Sequence, residues 1–256
     1  MSVRACIDRV IPTELQQEAM RAAAQENPAN VQTSPLELVV EHKKLWQPGR
    51  TLRVRFLEGS PKVKSNVQRF AEQWMQYANI KLQFVDSGDA EIRIAFKDDG
   101  SWSAVGTDAL VTQAFKKDEA TMNYGWLTES STDDDYSGVV LHEFGHALGC
   151  GHEHESPAVD IQWNKPAVYR DLGGSPIFWD KATVDHNVFG RYSRNETKFT
   201  KFDPESIMLY AFPAAWTLDG KSYHENSRLS ALDKQFIGEC YPGGGKKTGG
   251  GKTTNC

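Results

Sequence analysis

Residues 142–152 read HEFGHALGCGH. His142 and His146 stand four apart, so on a helix they lie about 40° apart on one face and one turn, roughly 5–6 Å, along the axis. Two imidazoles placed this way grip one ion. Glu143 falls about 100° round the helix, beside the metal rather than on it. Gly149 comes where the helix must stop, because glycine accepts the left-handed conformation that ends helices. The turn it makes folds His152 back as a third ligand. Three neutral imidazoles leave the fourth tetrahedral position to water, which is the arrangement of a catalytic rather than a structural zinc. The plain alternative is a surface helix with incidental histidines. Against it, three of the chain's seven histidines fall inside this one stretch. The expectation is one catalytic Zn2+ on His142, His146 and His152, with Glu143 as general base.

A second signal lies downstream in Ser206 to Tyr210, SIMLY. With both motifs the chain resembles the metzincin metallopeptidases, whose extended zinc motif is followed by a methionine-containing turn beneath the metal. Taken alone, Met208 reads as an ordinary core methionine; the resemblance makes it the turn methionine. Among metzincins the chain is most similar to the astacin family. The string His152-Glu153-His154 and the Ser-Ile-Met-x-Tyr pattern both match, and LSALDKQFIGECYP (229–242) is similar to the astacin C-terminal helix that leads to a cysteine. The resemblance covers about residues 48–242. It implies that Tyr210 is a further zinc ligand that swings away when substrate binds and then stabilises the oxyanion. It also implies a two-lobed protease, with a twisted mixed sheet and two long helices in the upper lobe and an irregular lower lobe with a C-terminal helix. The chain departs from the family where ESPAVDIQWN (155–164) replaces a charged stretch, and where the N-terminal segment lacks the FxGD aspartate latch. It is therefore identified as an outlying member, and the likeness implies astacin chemistry without astacin-style activation.

Working outward, residues 51–57 alternate Leu52, Val54 and Phe56 against Arg53 and Arg55, a strand pattern. Val63, Val67, Phe70, Trp74 and Tyr77 stand at helical spacing over 62–78. Short strands are expected around Ile80–Phe84 and Ile92–Phe96, and again over 107–115 and 120–126, with GSWSAVG (100–106) as a loop. The order is strand, helix and then four strands, a layer of helix on a twisted sheet, and the fold class expected is α+β. The acidic run before residue 136 suits the start of the zinc helix. After Gly151 the chain reads as irregular until a last helix near 229–240. Residues 1–35 look like an appendage resembling a pro-segment. It carries a helix opened by a Thr13/Gln16 capping box, with 27–35 as linker. Residues 36–242 form the catalytic domain, with an upper lobe of about 48–151 and a lower lobe of about 152–242. The glycine- and lysine-rich tail 243–256 is expected to be disordered.

A peptide is expected to lie extended along an exposed sheet edge, for which 107–115 is the candidate. Trp102, Trp126, Tyr136, Trp163 and Trp179 are candidates for lining the cleft, with core or loop packing as the plainer reading of each. The substrates expected are proteins or peptides. A net charge of -5 speaks against nucleic acid as a partner. No apolar run reaches 18 residues, so no membrane partner is expected, and the chain is expected to be a monomer. The N-terminus lacks a basic stretch followed by an apolar core, so no secretory signal is read. The compartment stays open between the cytoplasm and export by an unrecognised route.

Cys6, Cys150, Cys240 and Cys256 allow three full pairings, and their spacing does not choose between thiols and disulfides. One reading makes Cys6 a latch whose thiolate holds the zinc; a plain thiol or a disulfide is the alternative. Two other functions compete with the metzincin reading. A thermolysin-like enzyme needs a glutamate ligand roughly 20 residues on, and 162–172 offers Asp171 but no Glu. A catalytically inactive zinc-binding, protein-interaction module is the alternative from another class, and its signature, loss of Glu143, is missing.

Overall fold

The structure, a computed structural model, describes residues 6, 7, 9, 11–31, 44–175, 177–191 and 201–243. The 13 residues past Gly243, Cys256 among them, and residues 32–35 of the expected linker lie outside the described residues.

Five strands make one mixed sheet: β1 (Thr51–Phe56), β2 (Lys81–Phe84), β3 (Ile92–Ala95), β4 (Trp102–Ser103) and β5 (Met122–Asn123). Their order is β2-β1-β3-β5-β4. All neighbours run parallel except β4, which lies antiparallel to β5 at the edge. The alternation in β1 sends Leu52 and Val54 inward, both fully buried. They meet Val63, Val67 and Phe70 of α2 (Pro61–Ala71), which a Ser60 cap opens and a 3-10 stretch, Glu72–Gln76, extends. Below them runs α3 (Asp133–Ala147), whose Tyr136, Val140, Leu141 and Phe144 complete the core. Each such side chain contributes about 1.5–3 kcal/mol by leaving water. Trp74 fixes the two helices together by donating its indole N–H to Leu141 O at 3.1 Å.

Residues 107–115 do not form the expected strand. Gly106–Leu110 winds into a 3-10 turn, because Asp108 is drawn in to Lys44 (2.6 Å) and Thr107 N donates to Lys44 O. The following residues are held instead by Arg93 of β3, whose guanidinium donates to the carbonyls of Phe115, Lys116 and Glu119. The open edge is β4, inside the stretch expected to be loop.

The lower lobe is less irregular than expected, since it contains α4 (Lys165–Gly173) and α5 (Lys181–Asn187) around a second apolar cluster. The last helix, α6 (Ala231–Cys240), starts at a Ser230/Asp233 capping box. Near the N-terminus, α1 (Gln16–Glu26) follows a 3-10 turn at Thr13–Leu15, and no Thr13 capping box exists. Gln16 donates to Ile11 O instead, at 2.7 Å. The segment is packed down: Ile11, Ala19 and Ala23 are buried, and buried Asn27 and Asn30 bond the backbone of Trp46 and Leu45. Among the described residues no helix is long and apolar enough to cross a membrane.

Candidate active site

The first two histidines owe their place to α3. Thr132 and Asp135 form its capping box, and Asp133, Asp134 and Asp135 stand in the first turn, where the helix dipole favours negative charge. The helix ends in a Schellman turn. Cys150 N donates to Gly145 O and Gly149 N to His146 O, with Gly149 at a φ of 91°. That reversal sets His152 opposite the helix.

The three Nε2 atoms converge. His146 Nε2 lies 3.1 Å from His142 Nε2 and 3.1 Å from His152 Nε2. An ion bonded at about 2.0–2.1 Å to two nitrogens in tetrahedral geometry separates them by roughly 3.3 Å, so the spacing fits zinc. Backbone carbonyls set the tautomers. Ile207 O accepts from His142 Nδ1 at 2.8 Å and Cys150 O from His146 Nδ1 at 2.9 Å. Each bond turns the Nε2 lone pair toward the ion. His152 Nδ1 stands 3.9 Å from buried Glu155.

Glu143 is fully buried. Burial first, and the Glu143 carboxylate second, push the Tyr124 phenol well above its ordinary pKa, so it stays neutral beside the base. Beneath the site, Met208 carries its sulfur to Gly145. A Cβ on that glycine would run into Met208 Sδ, which is why the motif places the smallest residue there. Asp233 ties the turn to α6 by accepting from Ser206 Oγ (2.7 Å), Ile207 N (2.9 Å) and Ser230 N (2.8 Å). Its pKa is nonetheless raised, because burial outweighs these donors. Burial likewise lifts Glu153 to about 7, against the bond its carboxylate accepts from Asp203 N.

Tyr210 packs its ring 4.5 Å from His152 and 4.6 Å from His154. Its hydroxyl donates to the carbonyl of Cys6. The Cys6 Sγ joins the three histidines in one cluster whose ligand atoms all lie within 4.8 Å of one another. The same sulfur is 3.4 Å from Glu143 Oε2. The chain around it continues the sheet edge, with Cys6 bridging Ser101 in parallel and Ile7 N donating to Ser101 O at 3.1 Å. Cys6 and Cys150 are both buried, but Cys150 offers the site its carbonyl, and burial first of all pushes its thiol pKa well up. No disulfide joins Cys6, Cys150 and Cys240 to one another.

Of the aromatic cleft candidates, Trp102 lies on the β4 edge, and Trp163 and Trp179 line an apolar recess with His154 and Tyr210. Tyr136 is buried in the core and bonds Thr128 O, and Trp126 is half-buried. The residues that orient the ligands, Ile207, Cys150 and Asp233, had no signal in the sequence, since two of them act through backbone carbonyls.

A family model described as Matrixin matches residues 57–167. Two solved structures of myroilysin are similar to this chain. One is 43% identical, with a TM-score of 0.75, and the alignment covers 79% of this chain and 98% of that one. The other is 42% identical, with a TM-score of 0.62, covering 80% and 89%. High choriolytic enzyme 1, a hatching enzyme zinc-protease from Oryzias latipes (medaka fish), is 18% identical over 82% of this chain and 96% of that one. At a TM-score of 0.49 that likeness is too loose to carry weight. No curated protein sequence matches the chain.

Proposed function

The chain belongs to the metzincin zinc metallopeptidases, and on that premise we propose that it is an endopeptidase of astacin-like chemistry, held latent by its own N-terminal segment. The observation that carries the reading is the convergence of three Nε2 atoms beside buried Glu143.

His142, His146 and His152 would hold the ion. When bound, zinc supplies a Lewis acid that lowers the pKa of a water toward about 7 and polarises the scissile carbonyl. Glu143 takes the proton of the attacking water and passes it to the leaving amine. Tyr210 brings a hydroxyl donor from the opposite wall; in the described form it donates to the Cys6 carbonyl. A substrate carbonyl in that place would receive the same donor as its oxygen becomes negative. The likeness to astacins in His152-Glu153-His154 and in the Ser206–Tyr210 turn supports this role for Tyr210.

Cys6, Ile7 and Arg9 stand in the way. The Cys6 thiol occupies the approach to the three histidines and contacts Glu143, so neither water nor substrate reaches the base until the segment leaves. Two conditions thus govern activity: the metal is held, and Cys6 is displaced.

The test is casein hydrolysis after a thiol-capping mercurial has displaced Cys6, with and without a chelator. Glu143→Gln should keep one equivalent of zinc by metal analysis and lose turnover. Full turnover in that variant would sink the mechanism.

A further inference from the structure

We propose that Asp99 and Trp102 form a substrate subsite for a basic side chain, which selects peptides with Arg or Lys at the third residue from the one at the metal. The inference deepens the peptidase reading and rests on it.

The N-terminal segment marks the path. Cys6 sits at the three histidines, and its backbone and that of Ile7 pair with Ser101 at the sheet edge. An extended peptide adding to that edge follows the same track. Three residues on, roughly 10 Å along an extended chain, Arg9 lies with its guanidinium carbon 4.0 Å from the centre of the Trp102 ring. Its Nη2 is 3.8 Å from Asp99 Oδ2.

The pocket is prepared rather than formed by Arg9. Trp102 is anchored in β4 opposite Asn123 of β5, and with Arg9 over its ring it is 7% exposed. Asp99 is oriented from behind: its Oδ1 accepts from Asn123 Nδ2 at 2.7 Å and from Trp102 Nε1 at 3.4 Å. Asn123 is fully buried on β5 and is itself locked to the carbonyls of Lys97 (2.8 Å) and Gly100 (2.6 Å). With Oδ1 engaged, Oδ2 is the oxygen nearest the Arg9 guanidinium. A flat aromatic face with a carboxylate at its rim suits a guanidinium, which stacks and pairs at once. Both groups are about half exposed, at 43% and 47% for the side chains of Arg9 and Asp99. The gain is therefore modest, about three- to tenfold in kcat/KM.

The test uses the full-length chain, activated with a mercurial that caps Cys6. Its substrates are otherwise identical peptides that carry one Arg at the second, third or fourth place on either side of the scissile bond. Expected is a single third-place position where Arg raises kcat/KM about three- to tenfold over Ala. The ratio should fall to about one in Asp99→Asn and turn in favour of Glu in Asp99→Lys. Chelator-sensitive cleavage of the alanine peptide keeps the peptidase reading separate from this one. In the untreated chain, where Arg9 fills the pocket, Asp99→Asn should speed the reaction of Cys6 with a thiol reagent. A flat arginine profile, a preference that survives Asp99→Asn, or an unchanged Cys6 rate would each overturn the proposal.

Discussion

The site has two walls, and they are held in different ways. One wall is the end of α3 with the turn around Met208. There His142 and His146 are braced by backbone carbonyls, the helix closes on a Schellman turn, and Asp233 joins the turn to α6 through three donors. The other wall is made by Cys6, Ile7 and Arg9. It touches the same histidines, but its outer contact, Arg9 with Asp99, is exposed. Buried, fully satisfied networks are rigid, whereas exposed ion pairs contribute about 0–1 kcal/mol. On the proposed latch, the well-braced wall is the one that stays and the wall with the exposed contact is the one that leaves.

The largest effect should come from breaking the lasting wall at its centre. His146 is 1% exposed and approaches both other ligands. His146→Ala should abolish zinc retention after dialysis and bring casein hydrolysis down to the level of the chelated wild type. Retained stoichiometric zinc would show that the three histidines do not act as one set. Next in size is the removable wall. Cys6→Ser in the full-length chain should raise activity before any treatment toward that of the mercurial-activated wild type, and the mercurial should then add little. A silent variant with zinc bound would remove the latch.

How much of this was legible in the sequence divides along the same line. The ligands and base lie within eleven residues of one helix and turn, so their offsets carry the geometry, and the periods of β1 and α2 announce the layer above them. What connects the walls was legible only as one open reading of Cys6. Cys6 meets Glu143 across 137 residues of sequence, and no local pattern reports such a contact. β4 and β5 are two residues each, too short for alternation to show. Residues 107–115 carry apolar residues at strand-like intervals, but a Lys44–Asp108 pair and the Arg93 guanidinium bend them into turns. Tertiary partners overrode the local pattern there.

A smaller effect should come from the seam between α3 and the Met208 turn. Gly145→Ala places a Cβ against Met208 Sδ, well inside van der Waals contact. Overpacking costs about 1–3 kcal/mol, and the better helix propensity of alanine returns about 0.5–1 kcal/mol. The net loss of about 1–2 kcal/mol should lower Tm by about 3–6 °C, with zinc still bound. A thermal shift assay reads it. An unchanged Tm would mean that the turn beneath the metal yields freely, contrary to the rigidity argued for this wall.

The smallest effect lies at Asp108, in the 3-10 turn on which α1 rests and so between the lasting core and the N-terminal segment. Asp108 is 1% exposed, and burial raises its pKa above the ordinary 3.8, with Lys44 at 2.6 Å pulling the other way. Below about pH 4 the carboxyl is protonated in both folded and unfolded chains and adds nothing. As pH rises past 3.8 the unfolded chain releases its proton first, so unfolding is favoured and stability falls until the folded group has also ionised. Asp108→Asn lacks that proton. Its Tm relative to the wild type should therefore climb from about pH 4 upward and level off once the folded carboxyl has ionised. The Lys44 attraction is already contained in that net shift, which it reduces without reversing. The measured slope thus decides between them: a rising difference means burial governs Asp108, as the direction of its pKa requires, and a falling one means the Lys44 pair does.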